Sequence, residues 1–257
     1  MVFKKTGRRK KEKFEGDPRK MKETDPPRDG TRYAVGVLAV VAVAGIYALM
    51  YCTTSVPRTV VPIPMDDAAA ATFFAGDWFV QWQTETRYLK SAYNTRVKAT
   101  YTPRPPSWFG YTVGVHNVAE AAGIVRDSNW NGLTLLGAQR HPDSNGLAKF
   151  VVAPQFLPRW FAGDYWIIAR AFCGTTEEFA VVCGGQPTVA DGDAYTYDTD
   201  ATNNSGLWIF TRSRNPVEIV SIYKIASAVI HKNGISLTGL NRVDQTDRKI
   251  GPKGVSS

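Results

Sequence analysis

Hydrophobic and polar positions divide the chain into regions with different periods. Residues 1–32 have no period at all: KKTGRRKKEK is followed by DPRKMKETDPPRDGTR, and prolines with mixed charges oppose a core of their own. Residues 33–51, YAVGVLAVVAVAGIYALMY, are nineteen uncharged residues. At about 1.5 Å per residue they would reach roughly 28 Å as a helix, close to the hydrocarbon thickness of a bilayer. Residues 52–65, CTTSVPRTVVPIPM, hold three prolines and read as a short, stiff, extended linker. Asp66 is placed to cap one short turn, DDAAAATFF.

Beyond Asp66 the period becomes two. Strand-type runs fall at about 77–86, 92–102, 109–118, 133–140, 147–156, 164–172, 178–184 and 206–213. Turn signals such as PRPP, DSNWNG and HPDSNG separate them. Eight short, evenly spaced strands predict a mainly β domain, a meander that closes on itself and so removes its exposed edges. The period then changes to 3.6 in NPVEIVSIYKIASAVIHKNG. Asn215 is the expected N-cap, with Pro216 in the first turn and Asn233-Gly234 at the C-cap. Val217, Val220, Ile222, Tyr223, Ile225, Ala226, Val229 and Ile230 predict a broad apolar face packed on the barrel wall. Residues 246–257 are a polar tail. The expected organisation is therefore a basic arm (1–32), a transmembrane helix (33–51), a linker (52–65), a barrel domain (66–245) and the tail.

Charge sharpens the N-terminal half of this picture. The net charge of +8 is concentrated in residues 1–32, where twelve Lys or Arg meet six Asp or Glu. A basic tail suits nucleic acid or anionic lipid. The apolar run that follows selects lipid and argues against nucleic acid. A cleaved signal peptide fits poorly, because the apolar run is long and so is the segment before it. The positive flank puts the arm on the cytoplasmic, matrix or stromal side and the barrel opposite. Arm charge and the Met1 start point to an energy-transducing organelle membrane, the mitochondrial inner membrane among them. Small residues from Gly36 to Ala48 would let the span pack closely on other helices, and so on other membrane subunits.

Three cysteines, Cys52, Cys173 and Cys183, make no disulfide framework. Cys173 and Cys183 fall at opposite ends of one hairpin, beyond disulfide reach, and are expected as free thiols. His116, His141 and His231 are scattered without metal spacing, and no nucleophile motif has local support. Asp191, Asp193, Asp198 and Asp200 share a loop but miss the EF-hand pattern. Neither an enzyme nor a bound cofactor is expected.

Three ordered motifs carry a family resemblance. FFAGDWFVQW, with Gly76 and Trp78, is followed by GDYWIIA (163–169) and by LWIFTR, which ends at Arg212. Together with KATYTP (98–103), VGVHN (113–117), EFAVVCG (178–184) and NGISLTGL (233–240), they resemble the lipocalin family. The nearest branch is that of bacterial lipocalin, apolipoprotein D and plant temperature-induced lipocalin. The resemblance implies an eight-stranded up-and-down barrel with a C-terminal helix packed on it, Trp78 filling the floor and Arg212 lying across it. It also implies a fatty acid, lysophospholipid, sterol or retinoid-like ligand. The family's xanthophyll de-epoxidases are enzymes, but their cysteine-rich extension is missing here. Glycine at position 76 permits a tight turn into the first strand and a close approach to the floor.

Alternation from Trp78 predicts Val80 and Trp82 inside the barrel, with Val97 and Tyr101 on the second strand. These four are the candidate ligand-lining residues; Gly76, Trp78 and Arg212 are structural. In GDYWIIAR, parity leaves two choices: Tyr165, Ile167 and Ala169, or Trp166, Ile168 and Arg170. Two functions are consistent with these features. One is a membrane-anchored, non-catalytic carrier of a small hydrophobic ligand. The other is a structural accessory subunit of a respiratory or photosynthetic membrane complex, docked through residues 1–51 and the barrel surface.

Overall fold

A computed structural model describes residues 58–90, 95–121, 124–127, 136–174 and 177–246. The expected arm and transmembrane helix, the linker before Arg58 with Cys52, and nearly all of the tail lie outside the described residues. Among the described residues no helix is long and apolar enough to cross a membrane.

In chain order the elements are helix α1 (Asp67–Phe73) and strands β1 (Gly76–Gln83), β2 (Thr95–Pro103), β3 (Val113–Ala121), β4 (Ile124–Asp127), β5 (Leu136–Arg140), β6 (Lys149–Pro154), β7 (Gly163–Cys173) and β8 (Glu177–Cys183). A small hairpin, β9 (Val189–Asp191) and β10 (Ala194–Thr196), precedes β11 (Leu207–Thr211), helix α2 (Ile219–Lys232) and the short β12 (Asn241–Arg242). The order β11-β8-β7-β6-β5-β3-β2-β1 is closed by β1 pairing with β11, which makes an antiparallel barrel of eight strands. All eight expected strands form. The extra strands β4, β9, β10 and β12 are too short to carry a period.

Asp66 caps α1 as expected, its carboxylate accepting from the Ala69 amide at 2.7 Å. Gly76 opens β1 at φ 88°, a left-handed conformation that favours glycine. Nothing lies within 4 Å of where its Cβ would stand, so the turn and not a close approach requires glycine there. Cys173 and Cys183 are buried free thiols at opposite ends of the β7–β8 hairpin.

Three expectations are corrected. The linker is built into the domain. Val60 and Met65 are buried, and Ile63 wedges between β6 and β7, donating to the Ile167 carbonyl at 3.0 Å and accepting from the Ala148 amide at 2.8 Å. The second helix starts at Ile219 behind Glu218, not at Asn215. Residues 213–214 are tied to the barrel first: Gln81 Nε2 donates to the Arg214 carbonyl at 2.9 Å, and the Ser213 amide donates to Glu177 at 3.0 Å. Finally, α2 buries only Ile222, Ala226 and Ile230, whereas Val220 is 79% exposed and Val217, before the helix, 93%. One narrow stripe meets the wall of β7 and β8, and the rest of the apolar face looks outward.

Candidate functional site

Two hydrophobic clusters share the barrel wall. The inner one holds Phe73, Phe74, Trp78, Val80, Val97, Tyr101 and Phe150. The outer one lies under α2 and holds Ile168, Phe179, Ile209, Ile222 and Ile230, with Trp82 against it. Strand alternation alone cannot decide which cluster a residue joins, because the register shifts on β1, on β2 between Thr95 and Lys98, and on β7. The β1–β11 register shifts between Val80 and Trp82. Val80 faces in, Gln81 is the extra residue, and Trp82 turns out to stack on Tyr223 at 4.7 Å, with the Arg242 guanidinium 4.3 Å from its ring. Trp82 is therefore corrected from an interior residue to part of the helix-docking wall. Its neighbour Gln83 faces the interior, opposite Trp208. On β7 the shift falls between Ile167 and Ala169. Tyr165 and Ile167 face in above it and Arg170 below it, so each of the two parity choices holds for half the strand.

The floor is filled. Trp78 is fully buried, donates from Nε1 to the Phe73 carbonyl at 3.0 Å, and has Arg212 over its ring at 3.8 Å. Such a cation–π contact contributes about 1–2 kcal/mol when partly desolvated. Arg212 also donates to the carbonyls of Ala75 at 2.9 Å and Asp77 at 3.1 Å. Arg170 donates to the Ala69 carbonyl at 3.1 Å, and Arg140 to the Asp66 carbonyl at 3.0 Å. The Glu178 carboxylate bridges Arg170 and Arg212. Three arginines thus hold α1 across the floor, and the pairing of Trp78 with Arg212 stands as expected.

The other end is the mouth. In an antiparallel barrel alternate loops share an end. Arg87 donates to Thr202 at 2.9 Å, Lys90 pairs with Asp200 at 3.1 Å, and Asn203 donates to the Phe161 carbonyl at 2.9 Å, which joins the loops after β1, β6 and β10. In this half several inward side chains remain partly accessible: Leu89, Leu136, Val152, Tyr165 and Trp208. Inward residues of a closed barrel are accessible only if they border open space. Tyr88, in the loop after β1, is 59% exposed and acts electrostatically on the Tyr101 and Tyr165 hydroxyls, so it belongs to this end of the barrel. Val80, Val97 and Tyr101 lie in the inner cluster, as expected.

The Tyr101 and Tyr165 hydroxyls hydrogen-bond to each other. Burial pushes both pKa values well up, so both phenols stay neutral at physiological pH. Gln83 is buried, and its Oε1 has no partner among the described residues. Among the described residues the inward charged side chains Arg140, Arg170, Arg212 and Glu178 lie at the floor. Sequence reasoning missed Tyr88, Gln83 and Trp208. Tyr88 sits in a loop, and the β1 bulge conceals Gln83.

No family model matches the chain, and no curated protein does. Solved structures do. Lobster apocrustacyanin A1 aligns with a TM-score of 0.43 and 16% identity over 75% of this chain and 94% of that one. The cockroach allergen Per a 4 gives 0.42 and 13% over 74% and 93%. Lipocalin 12 from rat epididymis gives 0.47 and 10% over 78% and 98%.

Proposed function

We propose that the chain is a membrane-anchored, non-catalytic lipocalin that binds a small hydrophobic ligand of lipid or fatty-acid type in the mouth half of its barrel. The observation that carries this reading is the accessible inward wall of Leu136, Val152, Tyr165 and Trp208 above a filled floor. An apolar pocket with a few polar groups is the usual form of a small-molecule site. The anchor is residues 33–51, with the arm on the cytoplasmic, matrix or stromal side and the barrel opposite, in the mitochondrial inner membrane or a comparable one. Two features support the anchor. Gln186, three residues past the end of β8, holds Arg58 and Val60 through bonds of 2.9 Å each, so the described chain starts at the mouth end. The rim there exposes Phe156, Trp160 (76%) and Phe161, side chains suited to a lipid interface. Native mass spectrometry of the full-length chain tests the binding: after delipidation it should regain one apolar molecule per chain from a lipid extract. A chain that takes up nothing sinks the reading.

The exposed Val217, just before α2, and Val220 on it favour a second reading, an accessory subunit of a larger membrane complex that docks by this face and residues 1–51. Migration of the solubilised protein on a native gel tests it. A lone 28.3 kDa species in detergent would end it.

A further inference from the structure

We infer that the Tyr101–Tyr165 phenol pair receives the buried end of the ligand, and that this end is an uncharged acceptor oxygen, such as an ester or ketone carbonyl, and not a carboxylate. The inference rests on the proposed binding role of the mouth half and names the ligand chemistry that the site selects. Each neutral phenol has one proton to donate. In the Tyr101–Tyr165 contact one hydroxyl donates and the other accepts. The proton of the accepting hydroxyl has no acceptor among the described residues.

The pair stands where filled floor meets accessible wall. Tyr101 is buried, its ring 5.2 Å from Phe74 and 6.4 Å from Phe73. Tyr165 is only half-buried and lies 6.2 Å from Trp208. A ligand that fills the space above would bring its leading end to these hydroxyls. A carbonyl there would accept the spare proton. A carboxylate would lose its hydration for little compensating charge: Arg212 acts on Tyr101, but the inward arginines among the described residues are at the floor and committed to Glu178, Asp67 and backbone carbonyls.

Full-length chain held in amphipol can be loaded with the neutral probe N-phenyl-1-naphthylamine and titrated at pH 8 with methyl myristate, myristate and tetradecane. Methyl myristate should compete at least about tenfold better than myristate. The Tyr101→Phe/Tyr165→Phe double variant should weaken methyl myristate about three- to tenfold, the range of one neutral hydrogen bond, and leave tetradecane unchanged. Each single variant keeps one free donor and should lose less. Thermal unfolding of the double variant, which deletes two oxygen atoms from side chains that stay in place, checks that the barrel is intact. If the probe binds but ester and carboxylate compete equally, or the double variant treats all three compounds as the unaltered chain does, the headgroup assignment is wrong. If the probe does not bind at all, the carrier reading falls with it.

Discussion

At the floor of the barrel Phe73, Phe74 and Trp78 are sealed from water, and Arg140, Arg170, Arg212 and Glu178 hold one another or the α1 carbonyls. Along the same strands toward the mouth, Val152, Tyr165 and Trp208 stay accessible. One barrel thus has a half that is stabilised by close packing and a half whose inward side chains lack part of their packing partners. Contacts withheld from folding in the second half are available to a ligand. The floor should therefore control stability and the mouth half should control binding.

The strongest test of that division is Trp78→Ala. Deleting a fully buried indole and its contact with Arg212 should cost about 3–5 kcal/mol of unfolding free energy, read from denaturant melts. A loss below about 1 kcal/mol would show that the floor is not the stability centre. Glu178→Gln comes next. It leaves two partly buried guanidiniums without their carboxylate and should cost about 2–4 kcal/mol, visible as a fall in melting temperature. A paired substitution then compares the halves directly. Ala180→Phe overpacks the floor beside Phe210 and should cost about 1–3 kcal/mol, whereas Val152→Phe extends into accessible space. Val152→Phe should change stability by less than about 1 kcal/mol yet abolish uptake of apolar ligand. Equal destabilisation by the two would erase the contrast.

The smallest effect concerns acid. Burial alone would raise the Asp77 pKa, but hydrogen bonds from Thr100 and Lys98 and the Lys98 charge outweigh it and hold it below 3.8. A depressed folded pKa contributes stability that is present above the ordinary pKa of 3.8 and lost as pH falls through the folded value. The Asp77–Lys98 pair at 3.0 Å is partly exposed, so this contribution is under about 1 kcal/mol. Asp77→Asn should flatten the melting temperature slightly below that pH and leave ligand binding unchanged. A variant as acid-sensitive as the unaltered chain would remove Asp77 from the account.

Much of the fold was legible because its signals are local. Alternation, turn residues and the Asp66 cap act within a few residues, and they gave eight strands and α1. Trp78 and Arg212 were paired only through the family resemblance, since 134 residues separate them in sequence. Tyr101, Val80 and Val97 were placed inside by parity; Val80 precedes the β1 shift, and Tyr101 lies on the regular part of β2, beyond the shift between Thr95 and Lys98 that spans Val97. Parity failed for Trp82 at the β1 bulge, and on β7 the bulge lets each of the two parity choices hold for half of the strand. Nothing in GDWFVQW or GDYWIIAR announces the extra residue; the partner strand imposes it. The N-terminus of α2 failed for a related reason: Asn215-Pro216 is a sound local start, but Gln81 and Glu177 hold the preceding turn against the barrel.

The sequence by itself determined the strand count, the apolar stripe that docks α2, the capped α1 and the apolar run at 33–51, because each follows from the order of neighbouring side chains. Only the tertiary structure decided that Trp82 belongs to the outer wall, that residues 58–65 are part of the domain, and that two phenols from β2 and β7 meet above a filled floor. Those outcomes depend on bulges and on contacts between segments tens to more than a hundred residues apart, where closing the barrel, and not local preference, fixes which way a side chain points.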